Sequence, residues 1–282
     1  MNDELLPQST PPEVLYHYTT QQGLLGITRD REIFATSIRY VNDAAEIVHG
    51  LDLADDEIQD LQDTVRAGPR SEESKTRERR LESLWDLLDD MDEGQIFVCS
   101  FSEEGDLLSQ WRAYSSNTGG ISLGFNTTVL KRVALSQGFD LQKCIYDEGE
   151  QKRILRRLVR ETIKTPSLNA ASRRLARRLE EIVPVLKDPS FAEEREWRLI
   201  SSLKAPLQDG RDYREGASTV VPHFRLPFLG HESEMLSRVI VGPAADRQSA
   251  RAARAAISSL LADRGFSGCK VEVSTIPLRA GT

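Results

Sequence analysis

The chain has 282 residues, 39% of them hydrophobic and 29% charged, with a net charge of -7 and a pI of about 5.3, a length that holds one large domain or two small ones around a real core. The acidic balance argues against nucleic-acid binding over the whole surface and leaves room only for a local basic groove. No run approaches the ~18 apolar residues of a membrane span, and three scattered cysteines, Cys99, Cys144 and Cys269, give neither a disulfide framework nor a zinc motif and fit a reducing compartment.

Residues 1–13 read as a flexible leader broken by Pro7, Pro11 and Pro12. They lack a basic segment followed by an apolar one, so no secretion signal is expected and the expected location is the cytoplasm. "EVLYHYT" is the first strand, with Leu15, His17 and Thr19 on one face and Tyr16, Tyr18 and Thr20 on the other. "TQQGLLGITRDREI" is a short helix with Thr20 as its N-cap, and "IFATSIRYVND" turns extended. Residues 44–93 carry a helical pattern interrupted by "RAGPRSEESKTRERR", an exposed loop by its Gly68-Pro69 and its charge run.

"QIFVCSFS" is a strand, "LLSQWRAYSS" a helix, "TGGISLGF" a buried strand and "LQKCIYD" a further strand candidate. Residues 151–187 form a basic helical hairpin broken at "TPSLN". "EREWRLISSL", "STVVPHFRL" and "LSRVIVGP" read as strands. The alanine-rich "ADRQSARAARAAISSLLADRG" is a helix closed by Gly265, and "KVEVSTIPL" is the last strand, reached by a parallel crossover. The expected fold is α+β: a single domain with a mixed, mainly antiparallel sheet core and helical insertions at about 44–93 and 151–187.

Several stretches carry polar groups that fit either a site or local structure. His17 either satisfies a buried hydrogen bond or faces a ligand. In "SIRYVNDAAE", Asn42 or Asp43 caps the next helix, or Tyr40 and Asn42 stand at a site edge. Ser100 and Ser102 share a strand face and suit either a sugar, a phosphate or backbone groups. Arg112, between Trp111 and Tyr114, clamps an anion or pairs at the surface. In "EEREWRL", strand alternation puts Glu194, Glu196 and Arg198 on one face, either as a solvated salt-bridged edge or as carboxylates that stabilise a developing cation. No HExxH, GxSxG, GxGxxG or Walker pattern is present.

Taken together, "LYHYTT", "ATSIRYVNDAAE", "VCSFSEEGDLLSQWRAYSSNTGGISLGF", "EREWRL" and "VIVGP" resemble the bacterial domain-of-unknown-function family 2971, from Leu15 to Pro243. The chain also resembles, more remotely, mono-ADP-ribosyltransferases. "YHYTT" looks like the first strand of the DNA- and RNA-modifying kind, "SFS" like the Ser-x-Ser strand of toxin-type enzymes, and "ERE" like their Glu-x-Glu element. That resemblance implies an ADP-ribosyltransferase-like fold and a bacterial toxin or defence effector that consumes NAD as substrate, as a mono-ADP-ribosyltransferase or NAD glycohydrolase. No metal is expected, and a nucleic acid or protein is the acceptor. It makes His17, Glu194 and Glu196 catalytic. His17, Tyr18, Thr19, Tyr40, Asn42, Ser100, Ser102, Arg112, Tyr114 and Arg198 would then hold NAD. The alternative readings are a non-catalytic nucleotide or nucleic-acid binding module, with phosphate contacts from Arg156 and Arg157, and a metal-dependent nuclease on Asp43, Glu46, Glu194 and Glu196.

Overall fold

The computed structural model describes residues 5–41, 45–89, 96–114, 119–164, 168–201, 210–216, 218–244 and 246–277. The chain begins with β1 (Val14–Thr20), α1 (Gln21–Asp30) and β2 (Glu32–Ser37), followed by the helices α2 (Ala45–Ala67) and α3 (Glu72–Asp89). Strand β3 (Phe97–Ser102), α4 (Leu108–Tyr114), β4 (Gly120–Asn126), α5 (Thr127–Ser136) and β5 (Phe139–Lys143) come next. A second helix pair, α6 (Glu148–Ile163) and α7 (Leu168–Ile182), leads to β6 (Glu196–Ser201), β7 (Arg211–Glu215) and β8 (Val220–Pro227). The short α8 (Glu232–Met235), β9 (Leu236–Val241), α9 (Arg247–Asp263) and β10 (Lys270–Val273) complete the described elements.

The described strands form one sheet in two halves that meet at β3. One half runs β10-β9-β4-β1, the other β5-β6-β3-β2-β8-β7. All pairings between the described strands are antiparallel except β9 with β10, which the α9 crossover makes parallel, and an isolated bridge between Ile145 and Leu186 is parallel too, so the mainly antiparallel expectation holds. Strand β6 lies along one edge of β3 from Val98 to Ser102. The other edge is shared: β2 pairs only at Phe97 and Val98, and β1 touches only where Tyr16 faces Ser102. Between those two contacts β1 and β2 diverge, and the sheet opens.

Each face of β3 enters a different core, as alternation requires. Phe97, Cys99 and Phe101 join a cluster with Leu15, Leu123 and Phe125 and with Leu261 of α9. Val98 joins Ile58, Leu81, Leu155, Leu158, Leu175 and Leu179. This second core binds α2 and α3 to α6 and α7, so the two helical insertions converge into one layer on a single face of the sheet. Leu5 of the leader is buried in the same cluster. Arg156 of α6 ties into α2 by a two-pronged bond to the buried Glu57, at 2.7 and 3.0 Å.

Local signals explain the boundaries. The Thr20 hydroxyl accepts the Gly23 N–H at the start of α1, and Arg31, in the left-handed region at φ 56°, ends it. Gly265, at φ 86°, follows α9 as expected. The interhelical loop expected through Arg80 is shorter: α3 starts at Glu72, because Ser71 and Ser74 bond each other's N–H groups and Glu72–Lys75 and Glu73–Arg77 pair along the helix. Residues Ile38–Tyr40 form a 3-10 turn where an extended segment was expected.

Candidate active site at the split in the sheet

Antiparallel register decides which side chains face the opening. Ser100 stands opposite Arg198 and Ser102 opposite Glu196, so these four share one face. Strand β6 lies between β3 and β5 with every residue buried, which overturns the reading of Glu194 to Arg198 as a solvated edge. Glu194 is not on that strand. It ends a 3-10 turn, Pro189–Glu194, and Arg195 at φ 45° turns the chain into β6. This left-handed residue, not strand alternation, brings both carboxylates to one place.

That place is the ammonium of Lys187, which is 2% exposed. Its Nζ is 2.5 Å from Glu194 Oε2 and 2.5 Å from Glu196 Oε2. Arg198 grips Glu196 from the other side, with Nε 2.6 Å from Oε1 and Nη2 2.9 Å from Oε2, while its Nη1 donates to the Pro184 carbonyl at 2.8 Å. The Glu196 N–H donates to the Tyr146 hydroxyl at 2.8 Å. Gln151 fixes the lysine's backbone by donating to its carbonyl. Burial alone would push the Glu196 carboxyl up; the charges of Arg198 and Lys187, with their hydrogen bonds, overcome it and bring it to about 2. Among the described residues, two cations and two carboxylates thus form one cluster in which Glu196 is ionised.

His17 fills the wedge where β1 leaves β3. Its Nδ1 is 2.9 Å from the Ser100 carbonyl, and a carbonyl only accepts, so Nδ1 carries the proton and Nε2 keeps a lone pair. The ring lies against Phe101, at 5.7 Å between centroids. Burial lowers its pKa, partly offset by that hydrogen bond, so the imidazole is neutral near pH 7. Cys99 Sγ is 4.0 Å away, but burial and the Glu196 charge push the thiol up to about 12, which rules out an activated Cys-His pair.

Two cavities open beside this wedge. A smaller one of about 220 Å³ is lined by Tyr16, Ser102, Gln110, Phe191, Lys187, Glu194, Glu196 and Arg198. A larger one of about 830 Å³ is lined by Thr19, Gln22, Phe34, Thr36, Tyr40 and Arg214. His17, Tyr18, Val41, Ser100 and Tyr114 line both, so the histidine stands at their junction.

Most of the expected residues therefore meet here. Ser102 and Tyr18 serve as supports: the Ser102 hydroxyl donates to the Glu194 carbonyl at 2.7 Å and accepts the Glu104 N–H, and the Tyr18 hydroxyl donates to the Glu104 carbonyl and accepts the Leu107 N–H. Arg112 lines neither cavity. Helix α4 turns Trp111 inward, its Nε1 bonded to Asp106 at 2.7 Å, and so points Arg112 to solvent. Asn42 and Asp43 lie outside the described residues, as does the side chain of Glu46. Among the described residues no group of His, Cys, Asp or Glu is arranged to hold a metal ion. Sequence reasoning missed Lys187, Gln110, Phe191 and Tyr146; the lone sequence signal for Lys187 is a lysine directly after the apolar run "VPVL".

Residues 110–199, from α4 to β6, match the model of a family described as Protein of unknown function (DUF2971). The similarity expected over Leu15 to Pro243 is found over this middle part, which takes in Lys187, Glu194, Glu196 and Arg198 and leaves out His17 and Ser100. No curated protein and no solved structure matches the chain. Among the described residues no helix is long and apolar enough to cross a membrane.

Proposed function

We propose that the cleft takes NAD as substrate and breaks its nicotinamide–ribose bond, in the manner of an ADP-ribosyltransferase or NAD glycohydrolase of the toxin or defence kind. The observation that supports the reading is that Glu196 shares the smaller cavity with His17 and Ser100, which also line the larger one where the sheet splits. In this reading the nicotinamide ribose lies in the smaller cavity. The His17 Nε2 lone pair accepts from a ribose hydroxyl, and the Ser100 hydroxyl orients the sugar. As nicotinamide leaves with the bonding electron pair, the ribosyl carbon becomes cationic, and the ionised Glu196 carboxylate stabilises it. Water or an acceptor nucleophile then forms the new bond at that carbon and gives up its proton. The diphosphate of NAD draws on Lys187 or Arg198 and so uncovers Glu196 toward the sugar.

The second reading, a nucleotide-binding module without turnover, is favoured by the full pairing of Glu196 with two cations. Nicotinamide release and calorimetric NAD binding by the purified protein separate the two. Release that falls at least tenfold in His17→Asn and Ser100→Ala supports the enzyme. His17→Asn keeps a side-chain N–H for the Ser100 carbonyl and deletes the Nε2 lone pair together with the rest of the ring. Binding without release establishes the module, and neither binding nor release removes both readings.

A further inference from the structure

We propose that the outer face of α6 is a docking strip for a nucleic-acid strand, independent of what the cleft does. Helix side chains at i and i+4 form ridges with furrows between them. On α6 one ridge is Lys152, Arg156, Arg160 and Lys164; the next is Gly149, Arg153, Arg157 and Glu161. The furrow between them, about 650 Å³, is lined by these eight residues alone. Seven of them are cationic or, at Gly149, without a side chain. At 1.5 Å per residue the first ridge sets a cation about every 6 Å over about 18 Å, a spacing close to that of successive phosphates along a strand.

The opposite face of α6 is fixed. Ile154, Leu155, Leu158 and Val159 are buried in the helical core, so the ridges stand on a rigid support. Not every cation is available. Arg156 is committed to Glu57 and Asp60, Arg157 to Glu161, and Arg153 to Glu150. Lys152, Arg160 and Lys164 are exposed and make no ion pair among the described residues. Charges farther away than a Debye length of about 8 Å are largely screened at physiological salt, so the local field decides.

The chemistry favours a polyanion over an acidic protein. Neither ridge presents an apolar side chain, so a protein partner gains no apolar burial there, and exposed ion pairs alone contribute little. A nucleic acid carries condensed counterions, and their release drives binding to such a strip. The strip has no aromatic side chain to stack on bases, so binding is independent of sequence.

Fluorescence anisotropy of a labelled oligouridylate of about 20 nucleotides, titrated with the full chain between about 50 and 200 mM salt, tests the strip. The wild type binds, and its affinity falls linearly on a log–log salt plot. Combining Lys152→Gln, Arg160→Gln and Lys164→Gln makes that slope shallower by about 2, at about 0.7 for each phosphate no longer neutralised. The circular dichroism of the variant stays that of the wild type. If the combination alters the spectrum, each single change is measured instead, with a slope shallower by about 0.7. No binding at about 50 mM salt, an unchanged slope, or equally tight binding of polyglutamate overturns the proposal. None of these outcomes depends on NAD.

Discussion

Lys187 and Arg198 share one negative charge at Glu196, and both cations are almost fully buried, at 2% and 4% exposed. Glu196→Gln removes that charge and leaves, among the described residues, Glu194 to compensate. The expected cost is about 3–5 kcal/mol, read as a lower urea midpoint. A midpoint equal to the wild type would mean the cluster is solvated. For the same reason a loss of activity in this variant is ambiguous, and His17→Asn is the more informative change. The pH dependence has a definite sign. The Glu196 carboxyl drops from an ordinary 4.5 to about 2 on folding, so the folded state binds fewer protons in that range. Its stabilisation is complete above about 4.5 and is lost as pH falls toward 2. His17 is also depressed, by burial, so its neutral form favours the folded state above its ordinary 6.5 and that contribution erodes below it. Nicotinamide release should therefore persist through pH 6.5, with its acid limb lower; a limb at or above 6.5 would put a protonated His17 in the site. His17, Ser100 and Glu196 were legible because polar groups at fixed strand positions announce their face. Lys187 was not, since its partners are set by a turn and a left-handed Arg195 that no periodic pattern encodes.

Among the elements, α5 illustrates what sequence reading overlooked. The pattern after "TGGISLGF" was not read as a helix, although Asn126 accepts the N–H groups of both Thr128 and Val129. Asn126→Ala should cost about 1 kcal/mol of stability, while Asn126→Ser should leave it nearly unchanged. Equal losses for the two would show that the cap contributes through packing rather than hydrogen bonding. Strand β7, "RDYRE", was missed for a different reason. It is a charged edge strand, exposed along most of its length, and has no buried face to impose alternation. By contrast β1, β3, β6 and β9 were legible, because their β-branched and aromatic residues fill two-sided or half-buried positions.

At the scale of the molecule, each helical insertion was visible in sequence, but their convergence was not, because packing between distant segments leaves no local trace. The layer they form is coupled to the sheet through β3, whose Val98 and Phe97 belong to different cores. One strand shared by two cores predicts a single cooperative transition. Amides of Leu155 and Leu158 in α6 and of Ile121 and Leu123 in β4 should then exchange with similar opening free energies. Markedly faster exchange in α6 would make the helical layer a separate unit. Leu158→Ala, at a fully buried position, should lower both sets together and cost about 2–5 kcal/mol.

The cluster around Lys187 has a consequence for the solvent as well as for the protein. An anionic ligand that draws the ammonium toward itself takes away the cation that Glu194 and Glu196 share and leaves the two carboxylates near each other, with Arg198 still on the far side of Glu196. The simplest relief is for one carboxylate to take up a proton. Occupation of the cleft would then consume hydrogen ions from the buffer, and the apparent binding enthalpy would vary with the ionisation enthalpy of the buffer chosen. Negative charge would then enter the cleft together with a proton.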